Sequence, residues 1–128
     1  METSKMKILI VDDDAFLIDM YALKFTQNNF EVSTAFNGKE AIEKLQKGLI
    51  PNIILLDIMM PEMDGFQMMQ KMSEGNIAPT AIKIVLSNKG QQEDIDTGLK
   101  LGASGYIIKA SNTPAEVVAQ VLEIVNKK

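Results

Sequence analysis

The sequence predicts an α/β fold, a parallel sheet with helices on both faces, and two observations carry that prediction. Short, unbroken apolar runs recur along the 128-residue chain, as expected of strands buried on both faces. Between them lie segments whose apolar residues repeat at helical spacing, so that strand and helix alternate five times. Strands joined through helices run parallel, and right-handed crossovers lay those helices over the sheet.

In chain order, Met6–Val11 is the first strand, and Leu17, Met20, Tyr21 and Phe25 mark the first helix. Phe30–Phe36, which alternates more than the other runs, is the second strand, and Ala41, Ile42 and Leu45 mark the second helix. Ile53–Leu56 is followed by a helix with Phe66, Met69 and Met72 inward, and Ile82–Leu86 by one with Ile95, Leu99 and Leu101 inward. Gly48, Gly75 and Gly102 fall where helices two, three and four should stop, because glycine readily closes a helix. After the fifth strand, Tyr106–Ile108, the last helix has the clearest start signal. Thr113 is its cap, Pro114 its first residue and Glu116 the partner in a capping box, with Val118, Val121, Leu122 and Val125 as the buried stripe.

This length fits one domain, and no linker, internal repeat or low-complexity tail divides it. With 46% hydrophobic and 23% charged residues the chain is an ordinary globular protein and not a disordered one. Its net charge of -4, without a Lys/Arg cluster, argues against direct binding of nucleic acid. The absence of cysteine removes disulfides, thiolate metal sites and thiol catalysis. The absence of histidine excludes a Ser-His-Asp triad, a His-ligated zinc site and a phosphohistidine on this chain itself. The opening METSKMK has no apolar core behind its charge, and no apolar run approaches the length of a bilayer, so a soluble cytoplasmic protein is expected.

Ligands of such sheets bind beyond the carboxyl ends of the strands, so the residues that end each strand matter most. Strand one runs into Asp12, Asp13 and Asp14, strand three into Asp57, strand four into Ser87 and Asn88, and strand five into Lys109. Singly these are ordinary: an aspartate caps the next helix, a serine turns the chain, a lysine is solvated. Together they bring carboxylates to one rim with a single ammonium opposite. Two carboxylates about 4 Å apart repel by roughly 4 kcal/mol at an effective dielectric near 20, so a cation is expected. With oxygen donors and neither His nor Cys, Mg²⁺ is the natural occupant. The set reads as half of a phosphoryl-transfer centre. Asp57, alone at the end of a central strand, is the best nucleophile; Asp12 and Asp13 suit the metal; Lys109 supplies charge and Ser87 a hydrogen bond.

VDDD at 11–14, LLDIMMPEMDG at 55–65, VLSN at 85–88 and GYIIKA at 105–110 closely resemble the receiver domain of two-component response regulators. The resemblance covers essentially the whole chain, residues 1–128 with a core of about 6–126. It implies a flavodoxin-like (βα)₅ fold with strand order 2-1-3-4-5. It further implies that Asp57 accepts a phosphoryl group from a phosphohistidine on a histidine kinase or phosphotransfer protein. In that reading Mg²⁺ is ligated by Asp13, Asp57 and the main-chain carbonyl of Met59, with Asp12 acting through water, and Ser87 and Lys109 bind the phosphoryl group. Ser87 and Tyr106 resemble the switch pair of such domains, which alters the face of helix four, strand five and helix five to control a downstream protein. The protein would act as a monomer or a phosphorylation-dependent dimer, and would turn over no small substrate.

Three features refine that picture. Where the family places a cis-proline after its lysine, this chain has Ala110; a cis bond before a non-proline costs about 2.5–4 kcal/mol, so a trans bond and a less firmly aimed Lys109 are expected. Met59 and Lys89 occupy the positions that flank the attacking water in the family, and a bulky pair there should slow hydrolysis of the phosphoaspartate. Six of the nine methionines fall between Met59 and Met72, mostly as core filler. Other classes fit less well. A Mg²⁺-dependent aspartyl-phosphate phosphatase would need a DxD nucleophile motif and a cap, a flavin carrier would need a phosphate loop where this chain has three carboxylates, and a receiver-like interaction module that is never phosphorylated would not need the acidic set.

Overall fold

The computed structural model describes residues 5–127; residues 1–4 and 128, the outermost part of the expected domain and most of METSKMK, lie outside the described residues. Strands β1 (Met6–Val11), β2 (Phe30–Ala35), β3 (Ile53–Leu56), β4 (Ile82–Ser87) and β5 (Ala103–Ile108) alternate with helices α1 (Ala15–Gln27), α2 (Gly38–Gln46), α3 (Gly65–Glu74), α4 (Gln92–Lys100) and α5 (Pro114–Asn126). A short 3₁₀ turn, Lys109–Ser111, links β5 to α5. All neighbouring strands are parallel, in the order β2-β1-β3-β4-β5. The order reverses between β1 and β3, which opens a crevice beyond their carboxyl ends.

Because strand side chains alternate in direction, the sheet feeds two apolar layers. Leu9, Val11, Ile54, Leu56 and Val85 pack with Leu45, Met68, Met69 and Met72 of α2 and α3. Ile8, Ile10, Ile53, Leu55 and Leu86 pack with Tyr21 and Phe25 of α1 and Val117 and Val121 of α5. The methionines of α3 are therefore core, as their spacing implied, although Met68 joins the two expected ones. No helix of the described residues is long and apolar enough to cross a membrane.

Three elements depart from the pattern reading. β2 stops at Ala35 and leaves Phe36 exposed. β5 starts at Ala103, earlier than its apolar run, because Ala103 already pairs with Lys83 of β4; within it Gly105 lets α5 pack closely, since a Cβ there would lie 2.4 Å from Ile124 Cδ1. The largest departure is α4, where the expected inward Leu99 is exposed and the buried residues are Asp94 and Gly98. Gly98 presents bare backbone to the Tyr106 ring, which a Cβ would meet at 3.2 Å. The Asp94 carboxylate accepts from the Gln91 N–H at 3.2 Å and pairs with Lys89 at 3.5 Å, which satisfies it in place.

Candidate functional site

The crevice between β1 and β3 gathers the strand-end residues, and the backbone fixes each of them. Asp12 leaves β1 with its N–H donated to the Ala35 carbonyl at 3.1 Å, and its Oδ1 accepts from the Asp14 N–H at 2.9 Å. Asp14 turns outward to cap α1, accepting from the N–H groups of Phe16 and Leu17 at 3.0 and 3.1 Å. Asp57 continues β3 by donating its N–H to the Val11 carbonyl at 2.9 Å, while its Oδ1 accepts from the Ile58 N–H at 2.7 Å. The loop after it folds back tightly. Gly65 donates to the Ile58 carbonyl at 2.9 Å, and a Cβ on Gly65 would stand 2.3 Å from the Asp57 carbonyl oxygen, so only glycine fits there. Asp64 then caps α3 through a capping box with Gln67.

Asp12, Asp13 and Asp57 each bring a carboxylate oxygen within 4.8 Å of the others; Asp12 and Asp57 are buried and Asp13 is exposed. Lys109 faces them from the end of β5, with its ammonium 2.6 Å from Asp12 Oδ2 and 2.9 Å from Asp57 Oδ2. No peptide bond of the described residues is cis, so Lys109–Ala110 is trans as expected. The looser aim expected of Lys109 is not found, since both carboxylates grip its ammonium. Burial alone would lower the basicity of that amine, but its hydrogen bonds to Asp12 and Asp57 and their charges outweigh it and hold Lys109 above its ordinary value. It is therefore a cation at neutral pH.

Ser87 ends β4 fully buried, with Oγ accepting from the Lys89 N–H at 3.2 Å. Tyr106 reaches the same loop, its hydroxyl donating to the Lys89 carbonyl. Burial first, and then the nearby Asp94 and Asp57 charges, push the Tyr106 phenol up to about 12. Met59 and Lys89 line one cleft beside the site together with Ile58, Met60 and Asp64, and Met59 is largely exposed. Asn88, at the end of β4, has no partner evident from the sequence. In the structure its Oδ1 accepts from the Ala110 N–H at 2.7 Å. The available signal was Ala110 itself, since a position without proline carries an N–H that needs an acceptor.

The donor set fits a hard divalent cation such as Mg²⁺: carboxylate oxygens converge, and the chain holds no histidine or cysteine to prefer a softer ion. Fold and site together define a doubly wound α/β domain with an acidic, metal-compatible pocket at the reversal of strand order. The family model of the response regulator receiver domain matches residues 8–122, and the chain belongs to that family. It is 38% identical over 122 residues to the chemotaxis protein CheY of Thermotoga maritima, covering 94% of this chain and 95% of that one. It is 35% identical over 127 residues to the probable transcriptional regulator ycf27 of Pyropia yezoensis, covering 99% of this chain and 50% of that protein. The chain thus spans about half the length of several curated relatives. Among solved structures, the CheY-like receiver domain protein of Methanospirillum hungatei superposes with a TM-score of 0.86 at 27% identity, covering 97% of this chain and 96% of that one.

Proposed function

We propose that this chain is the phosphorylation switch of a two-component system, with Asp57 as phosphoacceptor. The observation that carries the reading is the lysine bridge: Lys109 spans Asp12 and Asp57 inside an acidic trio. A phosphohistidine on a histidine kinase or phosphotransfer protein would be the donor. The Asp57 carboxylate attacks phosphorus, the P–N bond breaks, and the imidazole leaves with the bonding electrons. Asp13, Asp57 and the Met59 carbonyl would hold Mg²⁺, with Asp12 acting through water. When bound, that ion neutralises phosphoryl oxygens. Lys109 and Ser87 bind the transferred group from the opposite side, Lys109 as a charge and Ser87 as a hydroxyl donor released from the Lys89 amide.

The response runs through the same contacts. Ser87 and Tyr106 both hold the Lys89 backbone, one at the N–H and the other at the carbonyl. Recruitment of Ser87 to a phosphoryl group would therefore free the loop that anchors Tyr106, and alter the α4–β5–α5 face offered to a downstream protein. Met59 and Lys89 flank the path of attacking water and should lengthen the phosphoryl lifetime. An unchanged dephosphorylation rate in Met59→Asn combined with Lys89→Ala would remove that role.

Incubation with Mg²⁺ and acetyl phosphate, followed by intact-mass measurement, tests the reading. One phosphoryl group should appear on the wild-type chain and none on Asp57→Asn. No gain from acetyl phosphate or from a cognate kinase would make the chain an interaction module, and sustained phosphate release from many esters would make it a phosphatase.

A further inference from the structure

The hydrogen-bonded register of β4 and β5 ends at Ser87 opposite Ile108, after which the two strands part. One more rung follows, made by a side chain: Asn88 Oδ1 accepts the Ala110 N–H at 2.7 Å. On the other side of the same turn, Asn112 Nδ2 donates to the Ile108 carbonyl at 2.8 Å, and Gln120 Nε2 of α5 donates to Asn112 Oδ1. The backbone of Lys109 is thus clamped between Asn88 of the β4–α4 loop and an amide relay from α5. The Asn88 bond exists only because residue 110 is not proline, whose nitrogen carries no hydrogen.

We propose that Asn88 is a positioning residue for Lys109, acting through the Ala110 amide in place of the rigidity that a proline would supply. A lysine loses considerable rotamer freedom when its ammonium is held, and a base already fixed leaves less to be ordered. Asn88 fixes the base, so that the ammonium falls between Asp12 and Asp57. Because Asn88 directly follows Ser87, the clamp also ties the position of Lys109 to the loop that a phosphoryl group would move.

The functional half of this inference rests on Asp57 being the acceptor; the structural half does not. Hydrogen exchange therefore reads the bond without phosphorylation. In Asn88→Ala the Ala110 amide should exchange about threefold to tenfold faster, as loss of one hydrogen bond implies, while Asn88→Asp, which keeps the acceptor oxygen, should retain the protection. The rate of phosphoryl gain from acetyl phosphate with Mg²⁺ should fall by a similar factor in Asn88→Ala. In an Ala110→Pro background, which has no N–H to accept, Asn88→Ala should change that rate no further. Asn88 is exposed, so its truncation should leave the fold intact; should Ala110→Pro not fold, the exchange of Ala110 and the rate in Asn88→Ala decide alone. Unchanged exchange, an unchanged rate, or an equal fall in both backgrounds would overturn the proposal. A wild-type chain that gains no phosphoryl group would count against Asp57 as acceptor, and the exchange result would still judge the clamp.

Discussion

Strands β3 and β5 flank β4 in one sheet and are held in opposite ways. Every residue of β3 is at most 1% exposed, and its register partners on β1 and β4 are apolar except Lys83, which lies opposite Ile54. Along β5 only Ala103 and Ile107 are buried, and of the two helices against it α4 buries nothing but an aspartate and a glycine. The two strands supply the two opposing charges of the site, Asp57 from the fully buried one and Lys109 from the partly exposed one. The lesson is that the Asp57 carboxylate is fixed by packing, whereas the cation is fixed by polar tethers, and tethers are what a newly bound charge can rearrange.

The comparison breaks first at the lysine. Lys109→Met leaves Asp12 and Asp57 buried without their cation, and should cost about 3–5 kcal/mol of unfolding free energy. Millimolar Mg²⁺ should restore part of that loss, because a ligand that binds only the folded state stabilises it. Denaturant titration with and without Mg²⁺ measures both effects, and a Lys109→Met chain as stable as the wild type would show that the carboxylates do not depend on this cation.

Next come paired truncations in the two regions. Leu55→Ala opens a cavity in the packed centre and should cost about 2–5 kcal/mol, while Leu99→Ala on the exposed side of α4 should change stability by no more than about 0.5 kcal/mol. Equal losses would erase the contrast.

The smallest effect in stability is the most informative about the flank. Gly98→Ala gains about 1 kcal/mol of helix propensity but places a methyl 3.2 Å from the Tyr106 ring, so the net change should stay within about 1 kcal/mol. The ring should move instead. In the native protein the Tyr106 phenol is pushed from 10.0 up to about 12. Its contribution to stability is therefore complete below the unfolded value near 10 and lost as pH rises through about 12. An absorbance titration should show this phenol ionising late in the wild type and earlier in Gly98→Ala; no difference would place the ring elsewhere than against α4.

Much of this was legible in the sequence, and the part that was not has a physical cause. Strand order came only with the family resemblance that the motifs carry, whereas the strand-end residues announced the pocket themselves because apolar runs that stop at a carboxylate are conspicuous. Helix α4 was misjudged because periodicity assumes that apolar side chains do the packing, whereas here an aromatic ring from β5 packs on bare glycine backbone. The start of β5 was hidden because Ala103, Ser104 and Gly105 form no apolar run, although Ala103 already pairs with Lys83 and Gly105 makes room for Ile124. The grip on Lys109 was not legible either, because it depends on Asn88, Asn112 and Gln120, whose hydrogen bonds leave no periodic trace.

Hydrogen exchange along the whole chain, with and without acetyl phosphate in the presence of Mg²⁺, tests the division between anchor and responder most directly. Phosphorylation should leave the amides of Ile53–Leu56 as protected as before and change those from Ser87 to Ser111. A protection change concentrated in β3, or a phosphorylated chain whose β4–α4 loop and β5 exchange as they did before, would contradict it.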